Sequence, residues 1–440
     1  MDIIILLTFC AMLIVAMLTG LSLIWALLGG LVLFSVYAHK KGFSCKEIGK
    51  MVLNGMYEVR NLLTVFLIIG LLTALWRLSG TIPEILSLSA DLFTPRLFLP
   101  IVFLLNSLLS FLIGTSFGTC ATMGVITFTL GRVLGFDPAM LGGAVLSGIF
   151  FGDRCSPLST SAMLVREVTD TDMSTNMRGM FRTGLIPFLI ALAFYTVIGL
   201  RGGTGTADTD VTALFSRDFT LSVWLLLPAV LVLVLSLFRV NVKLSMLAGI
   251  LSAAALCLII QKTPVTVVLK TLWSGYTSAD AEINAMLSGG GLVSMLSITA
   301  IVCLSCAFSR IFEKTGLLDR VRAWLLRFGE RHGFFTATAL AGTFCSAVAC
   351  NQTLAIILTA DLCRQFTPDK RVLALRIENT AVVIAAVIPW CIACSVPLST
   401  VGAPTGSILY AVYLWLFPIL GILQEIIHKH AGIDSKICRN

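Results

Sequence analysis

The chain has 440 residues, of which 57% are hydrophobic and 12% are charged, and its mean hydropathy is +0.97. Because soluble domains carry about 25% charged residues, this composition argues against a soluble globular fold and predicts a protein that lies in a lipid bilayer. The formal net charge of +8 is expected in loops on the cytoplasmic side of the membrane. The sequence has no long Lys/Arg run with interleaved aromatic residues, so we expect no nucleic-acid partner.

The first 200 residues predict a series of membrane helices. Residues 3–38 are too long for one span of about 20 residues, and the turn signal at Thr19–Gly20 predicts a hairpin of two helices. The further elements predicted here are a polar and basic connector at 39–60, a span at 61–78, a short interfacial helix at 84–96 and a span at 184–200.

Between residues 97 and 164 the apolar runs are short and are separated by Gly, Ser, Thr and Pro. One break is Gly114-Thr-Ser-Phe-Gly-Thr119, and the other lies between Phe150 and Leu164, next to an acid and a base. Backbone that is not helical at membrane depth is tolerated where it is buried in protein or lines a water-filled cavity. Two clustered breaks therefore predict an ion- or substrate-binding site. The alternative is that Gly and Ser only allow helices to pack closely.

The chain divides at a loop rich in Gly, Thr and Asp. We predict an N-terminal transmembrane repeat at 1–200, an extracytoplasmic linker at 201–220 and a C-terminal transmembrane repeat at 221–440 with a short basic tail. The elements predicted in the second half are spans at 221–238, 244–260, 289–309 and 410–427, and interrupted segments at 334–366, with its break at 342–352, and at 379–412.

The second half echoes the first in the order of its breaks. The first break is echoed by Gly342-Thr-Phe-Cys-Ser346, and Pro157-Leu-Ser-Thr160 recurs unchanged as Pro397-Leu-Ser-Thr400. Basic segments place both termini in the cytoplasm, and each half then crosses the membrane an odd number of times. The predicted fold class is an all-α polytopic membrane protein with two inverted-topology repeats and with broken or re-entrant helices at the midplane. The absence of a P-loop motif from the sequence disfavours ATP-driven transport.

Asp153 and Glu378 are acids between long apolar stretches, and an ionisable group at membrane depth is a functional candidate. The adjacent Arg154 is the alternative partner for Asp153, which would make that acid structural. Hydroxyl and amide groups at the breaks are suited to a hard cation such as sodium. The candidate ion- or substrate-binding residues are Asp153, Thr115, Ser116, Thr119, Ser156, Ser159, Thr160, Asn351, Gln352, Glu378, Ser399 and Thr400. The four His residues lie in polar connectors or the tail, so we predict no metal centre, no cofactor and no enzymatic activity.

Four motifs carry a resemblance to a known family. They are Gly80-Thr-Ile-Pro83, Gly114-Thr-Ser-Phe-Gly-Thr119, Gly148-Ile-Phe-Phe-Gly-Asp-Arg-Cys-Ser-Pro-Leu-Ser159 and Ile388-Pro-Trp390. Over residues 45–425 the chain resembles the NhaC-type sodium/proton antiporter family, within the ion transporter superfamily. The resemblance implies a bacterial inner-membrane antiporter with inverted repeats and broken helices. It also implies a family that includes carriers coupling sodium and protons to organic acids such as malate and lactate.

The chain departs from the family pattern at three positions. The family usually has an acid directly after S-P-L-S, where this chain has Thr160, and commonly has Asp-Gln in the break of the second half, where this chain has Asn351-Gln352. The family commonly has Asn after I-P-W, where this chain has Cys391. Two carboxylates are thus replaced by neutral groups, which favours a subgroup that carries an organic solute.

The predicted function is a secondary active transporter, a sodium (cation)/proton antiporter that works by alternating access. The alternative is a sodium- or proton-coupled carrier of a small organic anion or amino acid, with exchange of the malate/lactate type. The expected partners are the lipid bilayer and a small cation or organic solute, and a homodimer is left open. The expected location is the bacterial inner (plasma) membrane, crossed several times.

Overall fold

The computed structural model describes residues 2–89, 95–202, 211–238, 240–316 and 319–430. Within these ranges the regular structure is helical, apart from one isolated antiparallel bridge between Tyr276 and Gly289. In the described part of the chain, four helices are long and apolar enough to cross a membrane, or up to six if each of two bent helix pairs counts as one span. The all-α prediction is therefore confirmed for the described residues.

The first half contains eleven α-helices within the described ranges. They are α1 (Asp2–Thr19), α2 (Leu23–Lys40), α3 (Cys45–Glu58), α4 (Arg60–Leu78), α5 (Thr81–Ser89), α6 (Phe98–Ile113), α7 (Ser116–Thr119), α8 (Val125–Val133), α9 (Pro138–Cys155), α10 (Thr160–Thr169) and α11 (Met173–Gly202). A π-helical turn, Cys120–Gly124, makes α7 and α8 one continuous rod. The predicted hairpin is confirmed, with Gly20 at a φ of 70° between α1 and α2.

Three predictions for the first half are wrong in detail. The connector at 39–60 holds α3, which a capping box between Ser44 and Glu47 begins. The interfacial helix begins at Thr81 and ends at Ser89, and residues 90–94 of the predicted range lie outside the described residues. The span at 184–200 is part of the longer helix α11, because its polar N-terminal turns are helical as well.

The second half continues with fourteen α-helices in the described ranges. They are α12 (Val211–Phe215), α13 (Leu227–Leu237), α14 (Val242–Ile259), α15 (Val265–Ser274), α16 (Ala281–Leu287), α17 (Gly291–Ala307), α18 (Ser309–Thr315), α19 (Asp319–His332), α20 (Phe334–Ala349), α21 (Gln352–Cys363), α22 (Lys370–Glu378), α23 (Ala381–Ile384), α24 (Ile392–Val401) and α25 (Val412–His430). Short 3₁₀ segments are Pro95–Leu97, Val223–Leu226, Arg364–Phe366, Ala385–Val387 and Thr405–Tyr410. Residues 203–210 of the predicted linker and 431–440 of the tail lie outside the described residues.

The break predicted at 342–352 is much narrower in the structure. Helix α20 runs on through Ala349, and the chain leaves helical geometry at Cys350 and Asn351. Cys350 has left-handed backbone (φ 55°), and the next residue is extended (φ −142°, ψ 129°). The first-half break has the same geometry, because Gly114 is left-handed (φ 74°) and Thr115 is extended (φ −145°, ψ 125°). The two breaks are therefore matched in backbone conformation.

The repeated P-L-S-T sequence does not mark equivalent positions. Pro157 lies in the break between α9 and α10, whereas Pro397 lies inside α24. Backbone conformation instead matches the break at 156–159 with the break at 388–391. Each is followed by a helix of 10 residues and then by a left-handed residue, Asp170 or Gly402. These two breaks are thus alike in local backbone, and the prolines they contain are Pro157 and Pro389 rather than Pro157 and Pro397.

Helices α6 and α9 pack closely enough to require glycine. A Cβ at Gly148 would lie 2.7 Å from Asn106 Cβ, and one at Gly152 would lie 2.1 Å from the carbonyl carbon of Ser110. The Ser110 hydroxyl also donates a hydrogen bond to the carbonyl of Ile149. The Gly-rich run before the second break therefore serves close packing, and this packing positions the C-terminal end of α9.

Candidate functional site

The break at Gly114–Thr115 and the matching break at Cys350–Asn351 meet at the carboxylate of Asp153, which lies in the last turn of α9. The side chain is buried, at 3% exposure. Its Oδ2 accepts hydrogen bonds from Ser161 Oγ at 3.1 Å and from Gln352 Nε2 at 3.1 Å. Its Oδ1 is 3.4 Å from Ser159 Oγ, and the backbone N–H of Ser116 also donates to the carboxylate. Residues from both halves of the chain thus donate hydrogen bonds to the same buried carboxylate, that of Asp153.

The sequence of the second break explains how Asp153 is held. The last carbonyls of a helix have no partner within that helix. Ser159, the N-cap of α10, donates its hydroxyl to the backbone carbonyl of Asp153. Ser161 Oγ also lies 2.7 Å from this carbonyl oxygen, so its single O–H is shared between the carbonyl and Oδ2 of Asp153. Ser159 Oγ in turn accepts from the N–H of Ser161 at 3.2 Å. Closely spaced hydroxyls therefore join the end of α9 to the start of α10.

The first residues of two helices contact the same carboxylate, Ser116 through its backbone N–H and Gln352 through its side-chain amide. Ser116 is the first residue of the rod formed by α7 and α8, and Gln352 is the first residue of α21. The first N–H groups of a helix are unpaired and carry partial positive charge, which stabilises an anion. The extended residues before them, Thr115 and Asn351, cap these ends with side-chain oxygens. The breaks therefore create an environment for negative charge in the interior of the protein.

A cavity of about 630 Å³ lies beside Asp153 and takes its walls from both halves of the chain. The predicted site residues that line it are Asp153, Thr115, Ser116, Thr160, Asn351 and Gln352. This volume lies within the range of about 300–1,000 Å³ that is usual for small-molecule sites. It exceeds what a bare cation fills, so the cavity has room for a hydrated ion or an organic solute.

The other predicted residues do not line this cavity. Ser159 contacts Asp153 as described, while Thr119 and Ser156 make hydrogen bonds within their own breaks, to the Thr115 carbonyl and from the Leu158 N–H. Thr400 donates to the Val396 carbonyl at 2.8 Å inside α24, and Ser399 is exposed. Ser399 and Thr400 were selected because of the repeated P-L-S-T sequence, and the position of Pro397 inside a helix explains why they lie elsewhere.

Arg154 is not the partner of Asp153. Successive residues of a helix do not face each other, and the fully buried Arg154 points to the opposite side. Its Nη1 donates to the Met180 carbonyl at 2.9 Å, and its Nη2 donates to Thr183 Oγ1 at 2.8 Å and to Asn379 Oδ1 at 2.5 Å. The guanidinium also lies 4.2 Å from the ring centroid of Phe417. Arg154 is therefore not the partner that the structural alternative assigned to Asp153.

Glu378 occupies a separate position, at the C-terminal end of α22. It is fully buried, and neither carboxylate oxygen accepts a hydrogen bond from a residue that the structure describes. It does not line the cavity, and it lies within electrostatic reach of Arg154 and Asp153. The two predicted acids thus share a buried region but have opposite surroundings, since Asp153 is surrounded by donors and Glu378 by none.

Sequence reasoning missed three residues of the site. Ser161 belongs to the same motif as Ser159 but was not selected, although it donates to Asp153. Lys243, at the start of α14, and Cys306, in α17, both line the cavity. A basic residue at the end of a span is usual in any membrane protein, so no pattern in the sequence indicates that Lys243 reaches the site.

A buried carboxylate between two helix breaks, beside a cavity and among helices of membrane-spanning length, defines an integral membrane protein that carries a small charged solute. Among the described residues, no group of His, Cys, Asp and Glu side chains could hold a resident metal ion.

Comparison with known proteins agrees with this class. The model of the Na+/H+ antiporter family matches residues 1–165 and 148–424. The chain is 30% identical to the arginine/ornithine antiporter ArcD of Halobacterium salinarum, over 92% of this chain and 87% of that protein. It is 26% identical to the malate-2H(+)/Na(+)-lactate antiporter of Bacillus subtilis, with coverages of 89% and 85%, and 27% identical to the Na(+)/H(+) antiporter NhaC of Alkalihalophilus pseudofirmus, with coverages of 82% and 80%. The chain belongs to the Na+/H+ antiporter family, and it is a transporter rather than an enzyme.

Proposed function

We propose that this protein exchanges sodium ions for protons across the plasma membrane by alternating access, with Asp153 as the carboxylate that binds the cation. The observation that carries the proposal is the meeting of two helix breaks from different halves of the chain at this one acid. Hard cations prefer oxygen ligands, and broken helices in transporters supply them from carboxylates, hydroxyls and unpaired carbonyls. Thr115, Ser116 and Thr160 line the cavity beside Asp153 and provide such oxygens.

The proposal includes a topology. The matched breaks support two repeats, and the basic segments favour inverted orientation with both termini in the cytoplasm. The expected location is the bacterial inner membrane, because two relatives that are named Na(+)/H(+) antiporters are bacterial proteins.

One observation favours a second candidate, a coupled carrier of a small organic anion or amino acid. The cavity contains Lys243 as well as Asp153, and in the described part of the chain no acid forms an ion pair with this lysine. Opposite charges in a cavity of this size fit an organic solute with an acidic group better than they fit a bare cation. Relatives named for malate and lactate or for arginine and ornithine are compatible with this candidate.

Reconstituted vesicles distinguish the candidates. The assay asks whether sodium, lithium or potassium moves a pH gradient and whether malate, lactate or amino acids compete with that movement. We expect sodium-dependent proton movement in the wild-type protein and none in Asp153→Asn, although that variant should still insert. Solute uptake without cation-dependent proton movement would select the organic carrier instead.

A matched control is Asp137→Asn, which makes the same chemical change on an exposed residue. Asp137 caps α9 through the N–H of Ala139 at 2.7 Å, and Asn caps helices about as well as Asp. This control should exchange ions normally. Normal exchange by Asp153→Asn as well would contradict the assignment of Asp153.

A further inference from the structure

Among the described residues, the buried region beside the cavity contains one fully enclosed permanent cation and two acids, whereas Lys243 lines the cavity but is only half-buried, so that water can solvate its charge. Arg154 stays protonated in proteins, and the groups to which it donates from Met180, Thr183 and Asn379 are neutral. Asp153 and Glu378 are the acids. If both are ionised, the region has a net charge of −1, and a net charge buried away from water is strongly unfavourable.

The two acids differ in how well they can remain ionised. Hydrogen bonds from Ser161, Gln352 and the Ser116 N–H reach the carboxylate of Asp153, and hydrogen bonds to a charged acceptor are among the strongest in proteins. Glu378 accepts none from the described residues. A fully buried carboxylate without donors is uncompensated when it is ionised, so Glu378 is the acid that gains most from holding a proton.

The charged groups around Glu378 are few, and they determine whether this carboxylate holds a proton. Arg154 and Asp153, both on α9, are the charged side chains that act on it among the residues described. Helices α10, α11, α20, α21 and α23 also pack against α22, and none of them adds a charge at Glu378. Arg376, on the same helix as Glu378, acts on Cys363 and is not among the charged groups that act on Glu378. The protonation of Glu378 is therefore coupled to the charge at Asp153.

We propose that Glu378 carries the proton while Asp153 binds the cation, so that the buried region stays neutral and one monovalent cation exchanges for one proton. This inference rests on the proposed cation/proton exchange. With the cation absent, Arg154 balances ionised Asp153, and Glu378 is protonated. When a cation binds at Asp153, the O–H bond of Glu378 breaks and its proton leaves, so that two positive charges balance two carboxylates. Both states have zero net charge, and exchange is electrically neutral.

The first test measures binding of radioactive sodium to purified protein over a range of pH. In the wild-type protein the affinity should fall as the pH is lowered, with a limiting slope of one proton released per cation bound. In Glu378→Gln the neutral amide mimics the protonated acid, so binding should be weaker and independent of pH, and proton-coupled exchange should be lost. Asp153→Asn should lose binding at every pH.

The matched control is Glu282→Gln, an exposed acid whose carboxylate lies 3.9 Å from Arg217. This control should keep the pH dependence of the wild-type protein. Proton-coupled exchange or pH-dependent binding that persists in Glu378→Gln would overturn the assignment of the proton to Glu378.

The second test uses the wild-type protein alone and decides the matter if Glu378→Gln does not fold. In vesicles, a potassium diffusion potential imposed with valinomycin should leave the rate of exchange unchanged in either direction. Exchange that the potential accelerates would overturn the neutral stoichiometry. Failure of the proposed function has a different signature, because the wild-type protein would then bind no cation and move no protons in response to any, and both proposals would fall.

Discussion

Gln352 Nε2 donates a hydrogen bond to Oδ2 of Asp153 over 3.1 Å, although 199 positions separate the two residues in the chain. The same nitrogen donates to the carbonyl of Val382 at 2.9 Å. Both N–H bonds of the amide are thus used inside the protein, and Oε1 is left as the atom that can contact a solute. The amide of Gln352, at the start of α21, therefore links Asp153 of the first half to Val382 of α23.

Replacing Gln352 with Met keeps the approximate length of the side chain but removes both hydrogen bonds. A hydrogen bond to a charged group contributes about 1.5–3 kcal/mol, and about 1.4 kcal/mol corresponds to a tenfold change in affinity. We expect the apparent affinity for the transported cation to fall about tenfold or more, as measured from initial rates against cation concentration. Gln365→Met, on an exposed residue, is the control. An unchanged cation dependence in Gln352→Met would mean that the amide has no part in binding.

Gly114 allows the two first-half breaks to touch. With a φ of 74°, it lies where an added Cβ would be 2.6 Å from Leu158 Cβ and 2.7 Å from the Leu158 carbonyl carbon. Gly114→Ala should therefore combine backbone strain with a collision against the break that follows Asp153. We expect a large fall in melting temperature and loss of transport.

Gly135→Ala separates these two causes. Gly135 also has a positive φ, of 78°, but nothing lies within 4 Å of an added Cβ. The control should show only the backbone penalty, about 1–2 kcal/mol. If the two variants melt at the same temperature in detergent, the contact between the breaks is not what Gly114 provides.

Glu425 of α25 caps the beginning of α20. Its carboxylate accepts from the N–H groups of Phe335 and Thr336, both at 2.8 Å, and from Thr336 Oγ1 at 2.7 Å. Loss of a helix cap costs about 0.5–2 kcal/mol, so Glu425→Ala should lower the free energy of unfolding by about that amount. Thermal or denaturant unfolding in detergent measures the change. Glu330→Ala, on an exposed acid of α19, should have little effect, and an equal loss in both variants would rule out the cap as the cause.

An ion pair at the surface connects the end of α10 with the start of α22. Lys370 Nζ lies 2.6 Å from Asp170 Oδ2, and this hydrogen bond and the lysine charge lower the pKa of Asp170. A lowered pKa in the folded state means that the pair stabilises the fold above the unfolded pKa, about 4, and that this contribution is lost as the pH falls through the folded pKa.

Asp170→Asn tests this pH dependence and keeps a residue that tolerates the left-handed backbone at this position (φ 51°). Because both side chains are exposed, the effect should be small and should weaken in high salt. The difference in melting temperature between wild type and variant should be present near neutral pH and should vanish in strong acid. A difference that stays constant with pH would show that the ion pair is not its source.

The site could be predicted from the sequence at positions where a polar residue interrupts a long apolar stretch. Asp153, Thr115, Asn351 and Gln352 stand out because polar residues at membrane depth need a partner or a role, and the structure brings all four to the cavity. Ser399 and Thr400 were misplaced because identical letters were taken as equivalent backbone, whereas a proline in a membrane helix need not break it.

The remaining errors come from contacts that depend on tertiary structure. Adjacency in sequence suggested Arg154 as the partner of Asp153, but side chains at successive helix positions diverge. The approach of Lys243 to the cavity and the isolation of Glu378 depend on how helices from distant parts of the chain pack. The sequence predicts that breaks recur in the second half, but it aligns the wrong residues. The identical P-L-S-T letters do not lie at the positions where the backbone leaves helical geometry in both halves.

The contacts of Arg154 limit how the protein can rearrange. Its guanidinium fastens α9 to α11 through Met180 and Thr183, and to the end of α22 through Asn379. Separating these helices would leave a buried cation without its acceptors, which is costly. We therefore expect α9, α11 and α22 to move together as a rigid scaffold. The part that moves to open the cavity to the other side of the membrane should then be the cavity wall opposite α9, where Val65 of α4, Lys243 of α14 and Cys306 of α17 lie.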